Sequence, residues 1–330
     1  MGEHLQKIVK PLLKWYEENK RDLPWRKDQN PYHVWISEIM LQQTRIEAVK
    51  NYYQRFMQTI PTVQDLADIP EDELLKLWEG LGYYSRARNL KKAALVVMDR
   101  YQGKMPSCYD ELIKLPGIGE YTAGAISSIC YQEKVTAVDG NVLRVISRVL
   151  GSKKDVLLSE TKKEIEKQLM EIMPKNSGDF NEGLMELGEL VCLPNGVPAC
   201  ENCPLQKMCI AYQQNRVEEI PIRIKKVKRK KEEKTVFLLI TKSDKIAIEK
   251  RIDKGLLSGM YQLPNIEGYY SEEELKQFLM KWKLDVKQIS FLKEGKHIFT
   301  HIDWFMKCYV VILDVIPYIV NLKLKNLLRN

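Results

Sequence analysis

The chain has 330 residues, 45% of them hydrophobic and 29% charged, with 52 Lys and Arg against 44 Asp and Glu for a net charge of +8. That composition belongs to a folded protein with room for two domains, and it excludes collagen-like, low-complexity and disulfide-scaffold classes. The longest apolar runs, such as 236–240 and 309–313, are too short to span a bilayer, and residues 1–10 hold no secretory apolar stretch. No membrane association is expected, and the location expected is the cytoplasm, where thiols stay reduced. The basic surplus suits a polyanionic partner without establishing one.

In chain order, residues 1–216 read as helical. Asn30-Pro31 pairs an N-cap with a proline at the first helical position, and Ile46, Val49, Tyr53 and Phe56 follow at helical spacing. Thr62-x-x-Asp65 and Ser107-x-x-Asp110 have the form of capping boxes. Residues 223–231 hold seven basic residues in nine, so 217–233 is read as a solvated basic linker. Beyond it, β-branched apolar runs at 235–241 and 307–313 and an amphipathic segment at 271–283 predict a smaller α+β domain over 234–330.

Leu115-Pro116-Gly117-Ile118-Gly119 lies between two helical patterns. Two glycines beside a helix N-terminus let backbone N–H groups approach an anion, and the helix dipole favours negative charge there. Alone, this is a tight turn between helices. Soon after it comes Asp139, before an apolar helical face of Val142, Val145, Ile146 and Val149, and its plain role is an N-cap. Hairpin, small-residue helix and aspartate in this order resemble the helix-hairpin-helix Gly/Pro–Asp superfamily of DNA glycosylases. The resemblance implies an all-helical domain with Gly117 and Gly119 on the DNA backbone.

Trp35-Ile36-Ser37-Glu38-Ile39-Met40-Leu41-Gln42-Gln43-Thr44-Arg45, Arg21-Asp22-Leu23-Pro24-Trp25-Arg26 and Gly80-Leu81-Gly82-Tyr83-Tyr84-Ser85-Arg86 resemble the MutY-type adenine DNA glycosylases in the same order. The resemblance runs almost continuously from about Trp15 to Cys209. It implies Glu38 as general acid and Asp139 as the carboxylate that stabilises the sugar cation, as a counter-charge or as a nucleophile. The chemistry needs both: adenine leaves poorly as an anion, and its departure leaves an oxocarbenium ion. Tyr121 stands where endonuclease III relatives have a Schiff-base lysine, which implies an intact abasic product. By the same resemblance Tyr121 and Asn141 assist Asp139; Leu23, Trp25, Arg26 and Glu182 contact the base; Gln43 and Tyr83 fill the stack left by the extruded nucleotide.

Four cysteines fall in Cys192-x7-Cys200-x2-Cys203-x5-Cys209, while Cys108, Cys130 and Cys308 lie singly in apolar surroundings and are read as small buried hydrophobes. Structural zinc takes four thiolates, but only one CxxC knuckle is present. The spacing resembles the [4Fe–4S] loop of this family, with seven residues in a first gap that usually has six.

In the C-terminal domain, Gly255-Leu256-Leu257-Ser258-Gly259-Met260-Tyr261-Gln262-Leu263-Pro264 resembles the opening of the family's Nudix-like domain. Phe299-Thr300-His301 resembles its 8-oxoguanine-recognition loop, with Thr300 in place of the usual serine. No Arg-Glu-x-x-Glu-Glu run follows Gly259, so nucleotide pyrophosphate hydrolysis is not expected. Residues 307–330 depart from the family pattern, so a truncated small domain is expected. The sequence thus predicts a monomeric, nucleoid-associated glycosylase that flips and removes adenine opposite 8-oxoguanine or guanine in double-stranded DNA. The alternatives are a bifunctional glycosylase and lyase, against which Tyr121 stands, and a catalytically silent iron–sulfur DNA-binding protein, against which Glu38 and Asp139 stand.

Overall fold

The computed structural model describes residues 2–224, 229–241, 245–251, 255–282, 284–299 and 301–314. It divides into two compact units, Met1–Lys225 and Lys226–Asn330. The first is helical: α1 (Gly2–Gln6), α2 (Val9–Asn19), a 3₁₀ turn at Pro24–Arg26, α3 (Pro31–Leu41), α4 (Ile46–Thr59), α5 (Val63–Asp68), α6 (Glu71–Leu77), α7 (Ser85–Tyr101), α8 (Tyr109–Leu112), α9 (Glu120–Tyr131), α10 (Gly140–Val149), α11 (Ser159–Ile172), α12 (Ser177–Leu190) and α13 (Ile210–Gln213).

Local chemistry explains most helix starts. Asn30 caps α3 by accepting the Tyr32 N–H, with Pro31 at the first position. The Thr62–Asp65 box forms in both directions at α5. The Ser107 box does not form. Helix α8 starts at Tyr109 after Cys108, and Glu133 Oε2 takes the Tyr109 N–H at 2.8 Å, so a carboxylate 24 residues away replaces the local hydroxyl.

Helix α9 is buried on nearly every side, which its small residues permit. A Cβ on Gly124 would stand 2.0 Å from the Thr136 carbonyl oxygen. Helix α10 is amphipathic and sets Val142, Val145, Ile146 and Val149 into one core with Leu5, Leu12, Leu169, Phe180 and Leu184. These helices fix the start of α10, where Asp139 sits, against α12.

The segment read as a linker is shorter than expected. Ile220 is buried, its carbonyl accepts from Arg148 Nε at 2.8 Å, and Ile222 pairs with Asp155, so these residues belong to the helical unit. Strand β1 (Lys230–Thr241) already includes 230–233. Backbone pairing absorbs residues that charge alone had marked as solvated.

The second unit holds β1, β2 (Glu249–Lys250), β3 (Tyr261–Gln262), β4 (Asn265–Glu267), α14 (Glu272–Lys281), β5 (Val286–Ile298) and β6 (Ile302–Leu313). Its main sheet has the order β4-β1-β6-β5, with β1 and β6 parallel and the outer pairs antiparallel. Phe237, Leu239, Tyr309, Val311 and Leu313 from β1 and β6 pack on Leu275 and Leu279 of α14, which Ser271 caps. The expected strands and helix are present; β5 carries no clear apolar alternation and was not predicted. Residues 315–330, on which the expected truncation rests, lie outside the described residues.

Candidate active site

Helix α3 is largely apolar and buried on nearly every side, and Glu38 is buried within it, 7% exposed. Burial pushes its carboxyl up to about 7, reinforced by Glu182 and Asp139 and opposed by a hydrogen bond from Tyr121 and the charge of Arg26. Tyr121 Oη donates to Glu38 Oε2 at 2.6 Å and also lies 3.1 Å from Met185 Sδ. Eighty-three residues separate the two groups, which α3 and α9 bring together.

Asp139 is the N-cap of α10. Its Oδ1 accepts the Val142 N–H at 2.8 Å and its Oδ2 accepts from Asn141 Nδ2 at 2.7 Å. Burial raises its carboxyl above the ordinary aspartate range, and these two donors and the charge of Arg144 only partly oppose the rise. Arg144 fixes the local arrangement by donating to Asn141 Oδ1 at 2.7 Å, to the Gly188 carbonyl at 3.0 Å and to the Cys192 carbonyl at 2.7 Å.

Opposite them, Arg26 donates to Glu182 Oε1 at 2.8 Å and to Glu186 Oε2 at 3.0 Å, and Arg21 grips the same Glu186 through its backbone and guanidinium. Burial would raise the Glu186 carboxyl, but the two arginines outweigh it and hold it at about 2. Burial raises Glu182 despite Arg26. Arg21 and Glu186 were not singled out from sequence, although two carboxylates at i and i+4 on α12 match two arginines five apart.

One cleft of about 950 Å³ is lined by Leu23, Trp25, Arg26, Glu38, Gln43, Tyr121, Asp139, Asn141 and Glu182, together with Thr44, Arg45, Met185 and Glu189. Nine residues that the resemblance had marked, scattered from 23 to 182 in sequence, therefore line one cleft. A smaller cavity of about 280 Å³ adjoins it, sharing Trp25, Arg26, Glu38 and Glu182 and reaching Tyr16, Ser37 and Asp179. Trp25 and Leu23 are buried, with Trp25 edge-on to Tyr53. Gln43 and Tyr83 both have left-handed backbone, φ 58° and 46°. Tyr83 is 46% exposed and stands on a neighbouring turn outside the cleft lining.

At the hairpin, Gly117 has φ 78°, and a Cβ there would meet Asn89 Cβ at 2.6 Å. Gly119, the N-cap of α9, has open space around it. Both are exposed, while Leu115 and Ile118 anchor the turn in the core.

Cys192, Cys200, Cys203 and Cys209 line one small cavity with Arg148, Gln206 and Tyr212. Arg148 Nη1 donates to Cys192 Sγ at 3.2 Å, and burial pushes the Cys203 thiol up to about 12. None of the seven cysteines is in a disulfide, and of the three read as buried, Cys108 is exposed and Cys130 and Cys308 are only half-buried. Among the described residues no three of His, Cys, Asp and Glu converge closely enough to hold a single metal ion. In the second unit, His301 is exposed where β5 turns into β6, and Phe299 packs against His297 and Trp304. Thr300 lies outside the described residues.

Residues 36–175 match the HhH-GPD superfamily base excision DNA repair protein, and 235–324 match the NUDIX domain. The chain is 36% identical over 318 residues to the adenine DNA glycosylase of Buchnera aphidicola subsp. Schizaphis graminum, covering 94% of this chain and 86% of that one. To the adenine DNA glycosylase of Mus musculus it is 36% identical over 366 residues, covering 93% and 70%. The chain belongs to the adenine DNA glycosylase family. Among solved structures, a thermostable thymine-DNA glycosylase is 31% identical with a TM-score of 0.59, covering 64% of this chain and 98% of that one. Endonuclease III trapped in a covalent DNA intermediate is 27% identical with a TM-score of 0.55, over 65% and 98%. The resemblance read from the motifs, the helical helix-hairpin-helix domain and the Nudix-like domain are borne out. Among the described residues no helix is long and apolar enough to cross a membrane.

Proposed function

We propose that this enzyme flips adenine out of duplex DNA and hydrolyses its glycosidic bond, with adenine opposite 8-oxoguanine or guanine as the target. The observation that carries the reading is the pairing of a buried Glu38, held near 7, with an Asp139 bound by two donors on the same cleft. Glu38 protonates the leaving base at N7, and Asp139 meets the positive charge that develops on the deoxyribose. Tyr121 holds Glu38 in place, and Asn141 does the same for Asp139. Arg26, Glu182, Trp25 and Leu23 form the wall against which the base rests. Glu38 then accepts a proton from the attacking water.

Gly117 and Gly119 offer exposed backbone N–H groups to a phosphate, without sequence preference. Gln43 and Tyr83 fill the space vacated by the extruded nucleotide, and Thr300 with the exposed His301 contacts the opposite 8-oxoguanine.

The four cysteines line one small cavity and carry a single CxxC knuckle, a donor set that suits a [4Fe–4S] cluster taking one thiolate per iron. Such a cluster, when bound, ties Cys192, Cys200, Cys203 and Cys209 together and can exchange an electron. Arg148 offsets thiolate charge beside Cys192.

The test is a duplex carrying adenine opposite 8-oxoguanine, incubated and then analysed with and without alkali. Strand breakage only after alkali is expected. Spontaneous nicking would mean a lyase, and an uncut strand in both lanes would leave only DNA binding. Glu38→Gln and Asp139→Asn are each expected to abolish base release while sparing DNA binding; full activity in either variant removes that residue's role.

A further inference from the structure

Arg86, in α7, is 8% exposed and has no part in the chemistry described above. Its Nη1 donates to the carbonyls of Ile39 at 2.8 Å, Met40 at 3.1 Å and Gln42 at 2.6 Å, the last turn of α3 and the residue after it. Its Nη2 donates to the carbonyls of Leu81 at 2.9 Å and Gly82 at 3.2 Å and reaches Thr44 Oγ1 at 3.5 Å. The guanidinium lies over the rings of Trp78 and Tyr83, 5.4 and 5.5 Å from their centres. A single cation therefore joins two turns that are some forty residues apart in sequence.

Each turn ends in strained backbone. The first runs from Glu38, through the end of α3, to Gln43 at φ 58°; the second holds Gly80 at 96°, Gly82 at 69° and Tyr83 at 46°. Non-glycine residues in the left-handed region persist only where their surroundings hold them. The carbonyls at the end of a helix have no partner within it, and a cation there is favoured by the helix dipole. Arg86 supplies both needs with one planar fork, which a lysine ammonium cannot reproduce across two turns.

We propose that Arg86 is a positioning residue for nucleotide extrusion, clamping the Gln43 turn and the Tyr83 turn into one rigid unit behind Glu38. This rests on the reading that Gln43 and Tyr83 enter the base stack. Removing the clamp leaves Glu38 in its buried site but lets both turns relax to ordinary backbone, so the flipping step suffers and the protonation step does not.

The experiment uses the full-length protein and an 8-oxoguanine duplex with 2-aminopurine in place of the target adenine, whose fluorescence rises on unstacking. Arg86→Lys is expected to reduce extrusion by ~10-fold, while the pH midpoint of adenine release on the natural duplex stays at the wild-type value. In a protein carrying Gln43→Ala and Tyr83→Ala, adding Arg86→Lys is expected to cost less than ~2-fold more, because the groups it positions are already gone. Trp78→Phe, which keeps the guanidinium but removes the indole donor to the Gly82 carbonyl at 3.0 Å, gives a milder variant with an expected loss of ~3-fold. Wild-type extrusion in Arg86→Lys overturns the proposal, as does a full ~10-fold further loss in the Gln43/Tyr83 background. A shift of the pH midpoint would show that Arg86 acts on Glu38 instead. No 2-aminopurine signal in the wild-type protein removes the stack-filling reading and this proposal together; release of adenine without that signal would leave Glu38 and Asp139 standing.

Discussion

Glu38 has lost nearly all contact with solvent and keeps one short hydrogen bond, from Tyr121. Its carboxyl near 7, against an ordinary 4.5, has two measurable consequences. If the protonated form does the chemistry, single-turnover release at saturating enzyme falls as pH rises through about 7; a rate that climbs across that range would remove Glu38 as the acid. The second consequence concerns stability. The folded protein holds this proton more tightly than the unfolded chain does, so stability declines as pH rises from about 4.5 to about 7 and the loss is complete above that. Glu38→Gln removes the buried charge, so at pH ~8 it is expected to raise stability by up to roughly 3 kcal/mol while abolishing release. Urea denaturation at pH ~5 and pH ~8 checks the sign: the gain should be present at the higher pH and small at the lower. Glu186 is the opposite case, since Arg21 and Arg26 hold it at about 2 and keep it charged through the physiological range.

Helix α9 shows how an element serves the site by being small. Thr122, Ala123, Gly124, Ala125, Ser127 and Ser128 are all buried, and the helix packs closely on the 135–137 segment that leads to Asp139. Gly124→Ala is expected to destabilise by about 2–3 kcal/mol, because its Cβ would have to displace backbone at Thr136, and a urea midpoint equal to wild type would refute that packing. The hairpin was legible before the fold: Gly117 requires left-handed backbone, and Gly119 leaves a helix start open. The Ser107 box was misread because its rival, Glu133, comes from a part of the chain that local spacing does not report. Strand β5 escaped notice for a related reason: polar residues interrupt it and its outward residues include Phe291, Leu292 and Ile298, so it lacks the continuous apolar run that betrays β1.

Across the whole molecule, the charge of +8 and the phosphate contact proposed for the hairpin would act together, since neither depends on sequence. Binding to an undamaged duplex is expected to weaken by roughly three orders of magnitude between ~50 and ~200 mM salt, checked by fluorescence anisotropy. A salt-independent affinity would mean that the basic surplus plays no part. The two compact units, Met1–Lys225 and Lys226–Asn330, each contain one of the two family regions, 36–175 and 235–324.

By itself the sequence determined the helix-forming half, the hairpin, the Asp139 cap, the cysteine order and the residue types in each motif. These depend on local spacing, which the chain displays directly. It also marked Glu38 and Tyr121, but as members of a pattern and without a physical state. Tertiary structure alone decided that Glu38 is buried and titrates near 7, that Arg21 and Arg26 converge on Glu186, and that Arg86 joins the Gln43 and Tyr83 turns. Desolvation and multivalent hydrogen bonding are sums over neighbours drawn from distant elements, here 44 to 165 residues away, and no local window contains them.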